Sequence, residues 1–303
     1  HPPVHTAVQD DDGEEVDQFW DTIWGPMSDA LLTSVRLTTN LWANPSKILD
    51  YARVGTSIVN EIATLVTMPD DSPTSFKGKP GVAKRVAWSE PMSLPEVKAV
   101  GKVLGCSVND MLLSAAAGAM RAYLVDRGDE VEGVEIRAMV PVNMRRPSDQ
   151  GKLGNRFGLV ALELPLGVEN PLARLYATRE RMEKLKGSYQ AALTLSILGA
   201  VGMAPKFAQQ QVLDLLASKA TAVMTNVPGP QNALYLAGAK LLQPLFWVPQ
   251  SGDIGMGVSI LSYDGKVQFG LITDKNLVPD PERIVERFAS EFDKLLMLVL
   301  MEP

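Results

Sequence analysis

A chain of 303 residues, 46% hydrophobic and 21% charged, has the composition of an ordinary globular protein and is long enough for one large domain or two small ones around a sizeable core. Lys+Arg 29 against Asp+Glu 35 leaves a net charge of −6 with no basic patch, which argues against a nucleic-acid partner. The single cysteine, Cys106, excludes an internal disulfide, fits a reducing compartment and reads as a packed thiol just before a helix.

Residues 1–16 open His1-Pro2-Pro3-Val4-His5 and continue into the acidic run Asp10-Asp11-Asp12-Gly13-Glu14-Glu15. Such a stretch reads as a linker or disordered segment. Neither an initiator methionine nor a signal peptide precedes it, and the expectation is a piece cut from something longer. Residues 17–80 read as a helical connector. Ile48, Ala52, Ile58, Val59, Ile62, Leu65 and Val66 recur at three- and four-residue steps, and Asn44-Pro45 supplies a cap and a first-turn proline. That amphipathic face packs on a core, or alternatively lies on a lipid surface. The polar, Pro/Gly-bearing loop 69–80 marks the boundary of the domain 81–303.

Within that domain, strands and helices alternate. Residues 86–88 read as a strand. Ser93-Leu94-Pro95-Glu96 is a capping box opening a helix to about Leu104, and Ser107-Val108-Asn109-Asp110 repeats the device before a long helix 111–126. The run Ala115-Ala116-Ala117-Gly118-Ala119 has almost no side-chain bulk, which predicts central burial with a neighbour at very close range. Segments 134–142 and 159–166 read as buried strands, Asn170-Pro171 caps another helix, and 193–218 is helical in patches. Four β-like segments follow, at 221–226, 233–242, 254–263 and 266–273. Asp264-Gly265 between the last two predicts a type I′ hairpin. Asp280-Pro281 caps a final helix with Ile284, Phe288, Phe292 and Leu295/Leu296 on one stripe. The expectation is an α/β fold with a mixed sheet and packed helices.

Candidate chemistry begins with what is missing. The only histidines, His1 and His5, flank Pro2-Pro3 and do not make a metal site; no P-loop, GxGxxG or Gly-x-Ser-x-Gly elbow is present. The carboxylate pairs Asp70-Asp71 and Asp129-Glu130 fall in predicted loops and read as solvated. Segments 191–205 and 295–301 are apolar enough to touch a lipid surface, yet fall short of the roughly 20 residues of a membrane span.

The positive signals form an ordered string. Ser107-Val108-Asn109-Asp110-Met111-Leu112-Leu113 is followed by Val140-Pro141-Val142-Asn143-Met144-Arg145-Arg146 and Gly154-Asn155-Arg156-Phe157-Gly158. Then come Thr225-Asn226-Val227-Pro228-Gly229-Pro230, Leu234-Tyr235, Gly238-Ala239-Lys240, Pro244-Leu245-Phe246, Ser262-Tyr263 and Phe269-Gly270-Leu271. In this order the string resembles the bacterial wax ester synthase/diacylglycerol acyltransferase family over roughly residues 80–300. The Asn109-Asp110 pair, the Asn226–Pro230 loop and Pro244-Leu245-Phe246 are its most specific markers.

The resemblance implies the fold of the CoA-dependent acyltransferases, related to chloramphenicol acetyltransferase. This chain would be the C-terminal, two-layer subdomain of a two-subdomain enzyme with a tunnel between the halves. It implies an acyl-CoA-dependent O-acyltransferase that esterifies a long-chain alcohol or diacylglycerol to wax ester or triacylglycerol, with acyl-CoA as co-substrate and no metal or redox cofactor. The implied partners are the N-terminal half of the same enzyme and a peripheral membrane or lipid-inclusion surface, in the cytoplasm. The base in this family comes from a His-His-x-x-x-Asp-Gly motif, and this chain has none. It is therefore either the downstream piece of a cleaved enzyme, the reading its Pro-rich opening favours, or a non-catalytic lipid-binding or scaffolding relic.

No catalytic residue is expected here. Asn109 and Asp110 are expected to support activity by fixing a helix, Asp110 also complementing its dipole. The implied substrate-binding residues are Arg145, Asn155, Asn226, Pro228, Gly229, Gly238, Ala239 and Ser259. Arg145-Arg146 reads either as a solvated loop end or as a contact for CoA phosphates. The Asn226–Pro230 loop reads as a rigid turn, a tunnel wall or both. Gly238-Ala239 leaves space for a chain or admits a close backbone. Where relatives carry Asn, this chain has Gly257, which puts a hydrogen-bonding role at that position in doubt.

Overall fold

Apolar side chains at two-residue steps set the strands of the domain. The structure, a computed structural model, describes residues 68–143, 157–186, 190–191, 194, 206, 217–250 and 252–301. The expected linker, the connector helix and most of the patchy segment 193–218 lie outside these residues, as do Arg145, Arg146 and Asn155. The chain divides into two compact units. The larger comprises Pro69–Pro141, Leu159–Ser188 and Ala200–Pro303 and holds nearly all the described elements.

The strands are β1 (Lys84–Trp88), β2 (Met92–Ser93), β3 (Ile136–Asn143), β4 (Phe157–Leu164), β5 (Ala222–Pro228), β6 (Tyr235–Leu236), β7 (Ala239–Lys240), β8 (Met256–Tyr263) and β9 (Lys266–Asp274). They form a mixed sheet in the order β1-β9-β8-β5-β3-β4, with β2 also on β9, and a separate β6-β7 ribbon. The central β3, β5 and β8 run parallel, while β9 is antiparallel to β8 and β1. The β8–β9 turn is the expected hairpin, with φ of 48° at Asp264 and 72° at Gly265. The segment expected as one strand over 233–242 is instead two short strands. Positive φ at Ala237 (49°) and Gly238 (85°) folds it back on itself.

The helices α1 (Leu94–Leu104), α2 (Val108–Arg127), α3 (Pro171–Lys186) and α4 (Glu282–Met301) cover one face of this sheet. Their starts are set by side-chain caps. Ser107 and Asp110 form the full reciprocal box, at 3.2 and 2.9 Å, and Asn170 Oδ1 accepts from Leu172 and Ala173 N–H at 3.0 Å. Ser93 makes only half of its expected box, accepting from Glu96 N–H at 3.4 Å, because Ser93 itself ends β2 and pairs with β9. Val258, Ile260, Phe269 and Leu271 meet the α4 stripe Ile284, Phe288, Phe292 and Leu295 in a single core. The rings of Phe269 and Phe288 stack 4.2 Å apart.

The Ala-rich middle of α2 is buried as expected, but the close neighbour is an ion pair rather than bare backbone. Arg174 of α3 and Glu291 of α4 are both buried and bonded to each other against Gly118. A Cβ at Gly118 would stand 2.3 Å from Glu291 Oε2 and 2.5 Å from Arg174 Nη2. The guanidinium also donates to the carbonyls of Ser114, Val168 and Glu169, at 3.3, 3.0 and 3.0 Å. One charged pair thus ties together three helices, with all three guanidinium nitrogens donating.

Loop 69–80 belongs to the larger unit. The reading of its acidic pair as solvated is corrected for Asp71. That carboxylate is buried, accepts from Arg137 N–H at 2.9 Å and from the Thr221 hydroxyl at 2.5 Å, and faces the Arg137 guanidinium at 3.8 Å. Burial pushes its pKa up. Asp129 is likewise engaged, by Ser75 N–H at 3.0 Å and Ser75 Oγ at 2.6 Å.

Two stability predictions follow from the helical layer. Arg174→Leu leaves the buried Glu291 with Lys294 as its remaining charged partner and costs about 3 kcal/mol in urea denaturation, and adding Glu291→Leu recovers most of it. Burial, and then the 2.5 Å bond to Asp280, pushes the Tyr123 phenol up to about 12 from its ordinary 10. The fold therefore favours the neutral phenol. That stability is full below pH 10 and is lost as pH rises toward 12. Urea midpoints at pH 9 and 11.5 fall further in the wild type than in Tyr123→Phe.

Candidate functional site

Four of the marker segments meet at one end of the sheet, where β5 and β8 finish. The capping box fixes the first turn of α2, so Asn109 projects at a defined place beside that end. There Asn226 Nδ2, near the end of β5, donates to Asn109 Oδ1. Asn226 pairs in register with Ile260, a core residue, so its side chain lies on the helical face of the sheet. The bond joins the Asn-Asp pair and the Asn-Val-Pro-Gly-Pro loop, which lie far apart in sequence. Asp110 is buried and committed to the cap of its own helix.

The loop is rigid for visible reasons. Pro228 closes the β5–β8 pairing opposite Ser262, and Gly229 N–H donates to Ser262 O at 2.8 Å. A Cβ on Gly229 would stand 2.4 Å from that same oxygen, so only glycine lets the loop lie this close. Pro230 O accepts from Asp264 N–H at 3.1 Å. The loop is therefore laid along the neighbouring strand and its hairpin.

Tyr263, quoted with the marker Ser262-Tyr263, carries a role the sequence did not disclose. Its buried hydroxyl accepts from Leu234 N–H at 2.7 Å and donates to Leu241 O at 2.9 Å. It thereby clasps both legs of the β6-β7 ribbon, and Lys240 pairs with Asp264 at 2.8 Å. Leu234, Tyr235, Leu236 and Leu242 remain exposed on the clasped ribbon, Leu236 at 78%. Gly238 and Ala239 sit at its tip. No atom lies within 4 Å of where a Gly238 Cβ would stand, so the glycine serves the turn's positive φ rather than a close contact.

Ser259 lies on the other face of the sheet, buried, donating to Gly270 O at 3.3 Å. Segment 243–250, which includes Pro244-Leu245-Phe246, crosses that face. Gly257 is explained by this crossing, since a Cβ there would meet Val248 O at 2.7 Å and Ile272 Cγ2 at 2.8 Å. The site thus brings together Asn109, Asn226, Pro228 and Gly229, while Gly238 and Ala239 project on the ribbon and Ser259 faces the opposite way. Cys106, beside the start of α2, is half-buried, and burial pushes its thiol pKa up, which disfavours a thiolate nucleophile. Among the described residues, no group of three or more His, Cys, Asp or Glu is placed to hold a metal ion.

The chain is similar to known proteins over most of its length. Residues 153–296 match the WS/DGAT C-terminal domain. A putative diacylglycerol O-acyltransferase of Mycobacterium bovis is 31% identical over 237 residues, 76% of this chain and 51% of that protein. A probable diacylglycerol O-acyltransferase of Mycobacterium tuberculosis is 28% identical over 251 residues, 79% of this chain and 52% of its own. Among solved structures, a wax ester synthase/diacylglycerol acyltransferase from Marinobacter aquaeolei aligns with a TM-score of 0.57 at 23% identity, covering 82% of this chain and 57% of that one. The trichothecene 15-O-acetyltransferase of Fusarium sporotrichioides aligns with a TM-score of 0.53 at 13% identity, covering 78% and 52%. These two likenesses establish the fold, and the α/β acyltransferase plan expected from the motifs is the one found. The chain spans about half the length of the curated relatives it matches.

If the Asn109–Asn226 bond fixes the site end, the two residues are coupled. Asn109→Ala and Asn226→Ala each lower stability, and a double-mutant cycle from urea melts gives a coupling of about 1 kcal/mol.

Proposed function

The chain belongs to the wax ester synthase/diacylglycerol acyltransferase family, and on that premise we propose that it forms the C-terminal half of an acyl-CoA-dependent O-acyltransferase. The observation that carries the reading is the Asn109–Asn226 bond. Two of the family's markers, more than a hundred residues apart, are built into one rigid end of a sheet. The exposed apolar ribbon stands beside them.

In this reading the hydroxyl of a long-chain alcohol or diacylglycerol attacks the thioester carbonyl of acyl-CoA. Its proton passes to a base, the C–S bond breaks, and the CoA thiolate regains the proton. The products are an ester and free CoA, and the chemistry asks for no resident metal or redox group. The base is a histidine of the His-His-x-x-x-Asp-Gly motif on the N-terminal half; its contribution is typically 10²–10⁴-fold. This chain supplies shape: the Asn226–Pro230 loop as a firm wall, and Leu234, Tyr235, Leu236 and Leu242 as the apolar surface that the N-terminal half covers.

No single described helix is long and apolar enough to cross a membrane. The bent pair Leu94–Leu104 and Val108–Arg127 passes that test only jointly, at 98°, and most of its apolar residues are core. The last turns of α4 expose Met297, Leu298, Leu300 and Met301. This supports peripheral contact with a lipid surface, where the acceptors reside.

The test is reconstitution. The chain, co-purified with an N-terminal half bearing the histidine motif, is assayed for thiol release from palmitoyl-CoA with hexadecanol or dioleoylglycerol. Ester formation that needs both halves and drops about tenfold or more in Asn226→Ala supports the proposal. Binding of lipid without any transfer would instead favour the non-catalytic relic.

A further inference from the structure

Strand β9 alternates its faces. Val267, Phe269 and Leu271 enter the helical core, so Gln268, Gly270 and Ile272 lie on the opposite face. Gln268 is 1% exposed, and neither its Oε1 nor its Nε2 has a hydrogen-bond partner among the described residues. Interiors seldom leave both ends of a carboxamide unpaired, because each group has given up its water for nothing.

Register places this side chain at the functional end of the sheet. Gln268 pairs with Leu261, and Leu261 with Val227 of the Asn226–Pro230 loop. One pleat away on the same face, Ser259 stands opposite Gly270 and beside Thr225. These three side chains make a polar row. Across the same face runs segment 243–250, with Trp247 over Gly270 and Val248 over Gly257. Glutamines at both ends hold it down: Gln243 donates to Ser89 O at 3.1 Å, and Gln250 to the carbonyls of Gly255 and Ile272 at 2.9 Å.

We propose that Gln268 binds the pantetheine arm of acyl-CoA. This rests on the acyltransferase reading above and adds to it a residue that holds the donor. A carboxamide presents an acceptor oxygen and a donor nitrogen side by side. The β-alanyl unit of pantetheine carries an amide N–H and, two methylenes on, an amide carbonyl. The N–H donates to Oε1 and the carbonyl accepts from Nε2, so both unpaired atoms are satisfied at once. A polar row on one sheet face, crossed by segment 243–250, suits a thin, extended arm rather than the bulky nucleotide. Neither hydroxyl acceptors nor acyl chains offer that donor–acceptor pair, and the reacting hydroxyl must keep its own proton for the base.

The test uses the reconstituted two-half enzyme with two acyl donors, palmitoyl-CoA and the palmitoyl thioester of mercaptoethanol, which has no amide. Gln268→Leu raises KM for palmitoyl-CoA about tenfold, leaving kcat and the amide-free thioester unchanged. Because the substitution removes unpaired buried groups, it also raises Tm by a few degrees, and Gln268→Met does the same. Equal effects on both donors, or no effect on either, overturn the proposal. So does a fall in Tm in both variants, which would make Gln268 a structural group held by buried water. If the wild-type pair transfers acyl groups from neither donor, the acyltransferase reading itself fails and takes this inference with it. If it transfers but Gln268→Leu does not discriminate, only this inference falls.

Discussion

The candidate site depends on the start of α2 and the end of β5 being held together by one side-chain bond. Parallel strands finish with free backbone groups and a loop that must leave the sheet, and such loops ordinarily move. Here the loop is built from two prolines and a glycine, and Asn226 before it is bonded to Asn109. Asn109 is fixed in turn because Ser107 and Asp110 close the cap of α2 on either side of it. Rigidity is thus passed from a helix cap to a side-chain amide and then to a loop that is itself bonded to β8 and its hairpin.

The helical layer provides what that arrangement stands on. An Ala-rich helix buries little area per residue, so α2 gains less from hydrophobic burial than its central position suggests. Its value is proximity. Gly118 lets Arg174 and Glu291 meet against the helix, and the pair crosses from α3 to α4. Charges so deeply placed are costly unless they are paired and hydrogen-bonded, and Arg174 donates to three carbonyls and one carboxylate.

Local chemistry was legible in the sequence wherever a short motif carries its own physics. The Ser107 box, the Asn170 cap, the Asp264-Gly265 turn and the apolar stripe of α4 all appear where pattern placed them. What pattern did not show depends on partners distant in the chain. The 233–242 run alternates like one strand, yet Tyr263 clasps its two ends and folds it into a ribbon. Asp71 looked solvated because Arg137 and Thr221, which bury it, lie 66 and 150 residues away. Gln268 passed unnoticed among apolar neighbours, since period two says which face a residue takes but not whether its polar atoms find partners. Of the candidate site, the pairing of Asn109 with Asn226 was implied only as two separate markers, and Gly238 proved to serve a turn.

The proposal rests on a rigid sheet end and an exposed apolar ribbon clasped by Tyr263, read as the surface that an N-terminal half covers. The most direct measurement of that claim is hydrogen–deuterium exchange on this chain, alone and bound to an N-terminal half carrying the base. The account predicts new protection concentrated in residues 226–242, around the loop and the ribbon. Protection absent there, or confined to the outer surface of α3, would contradict it.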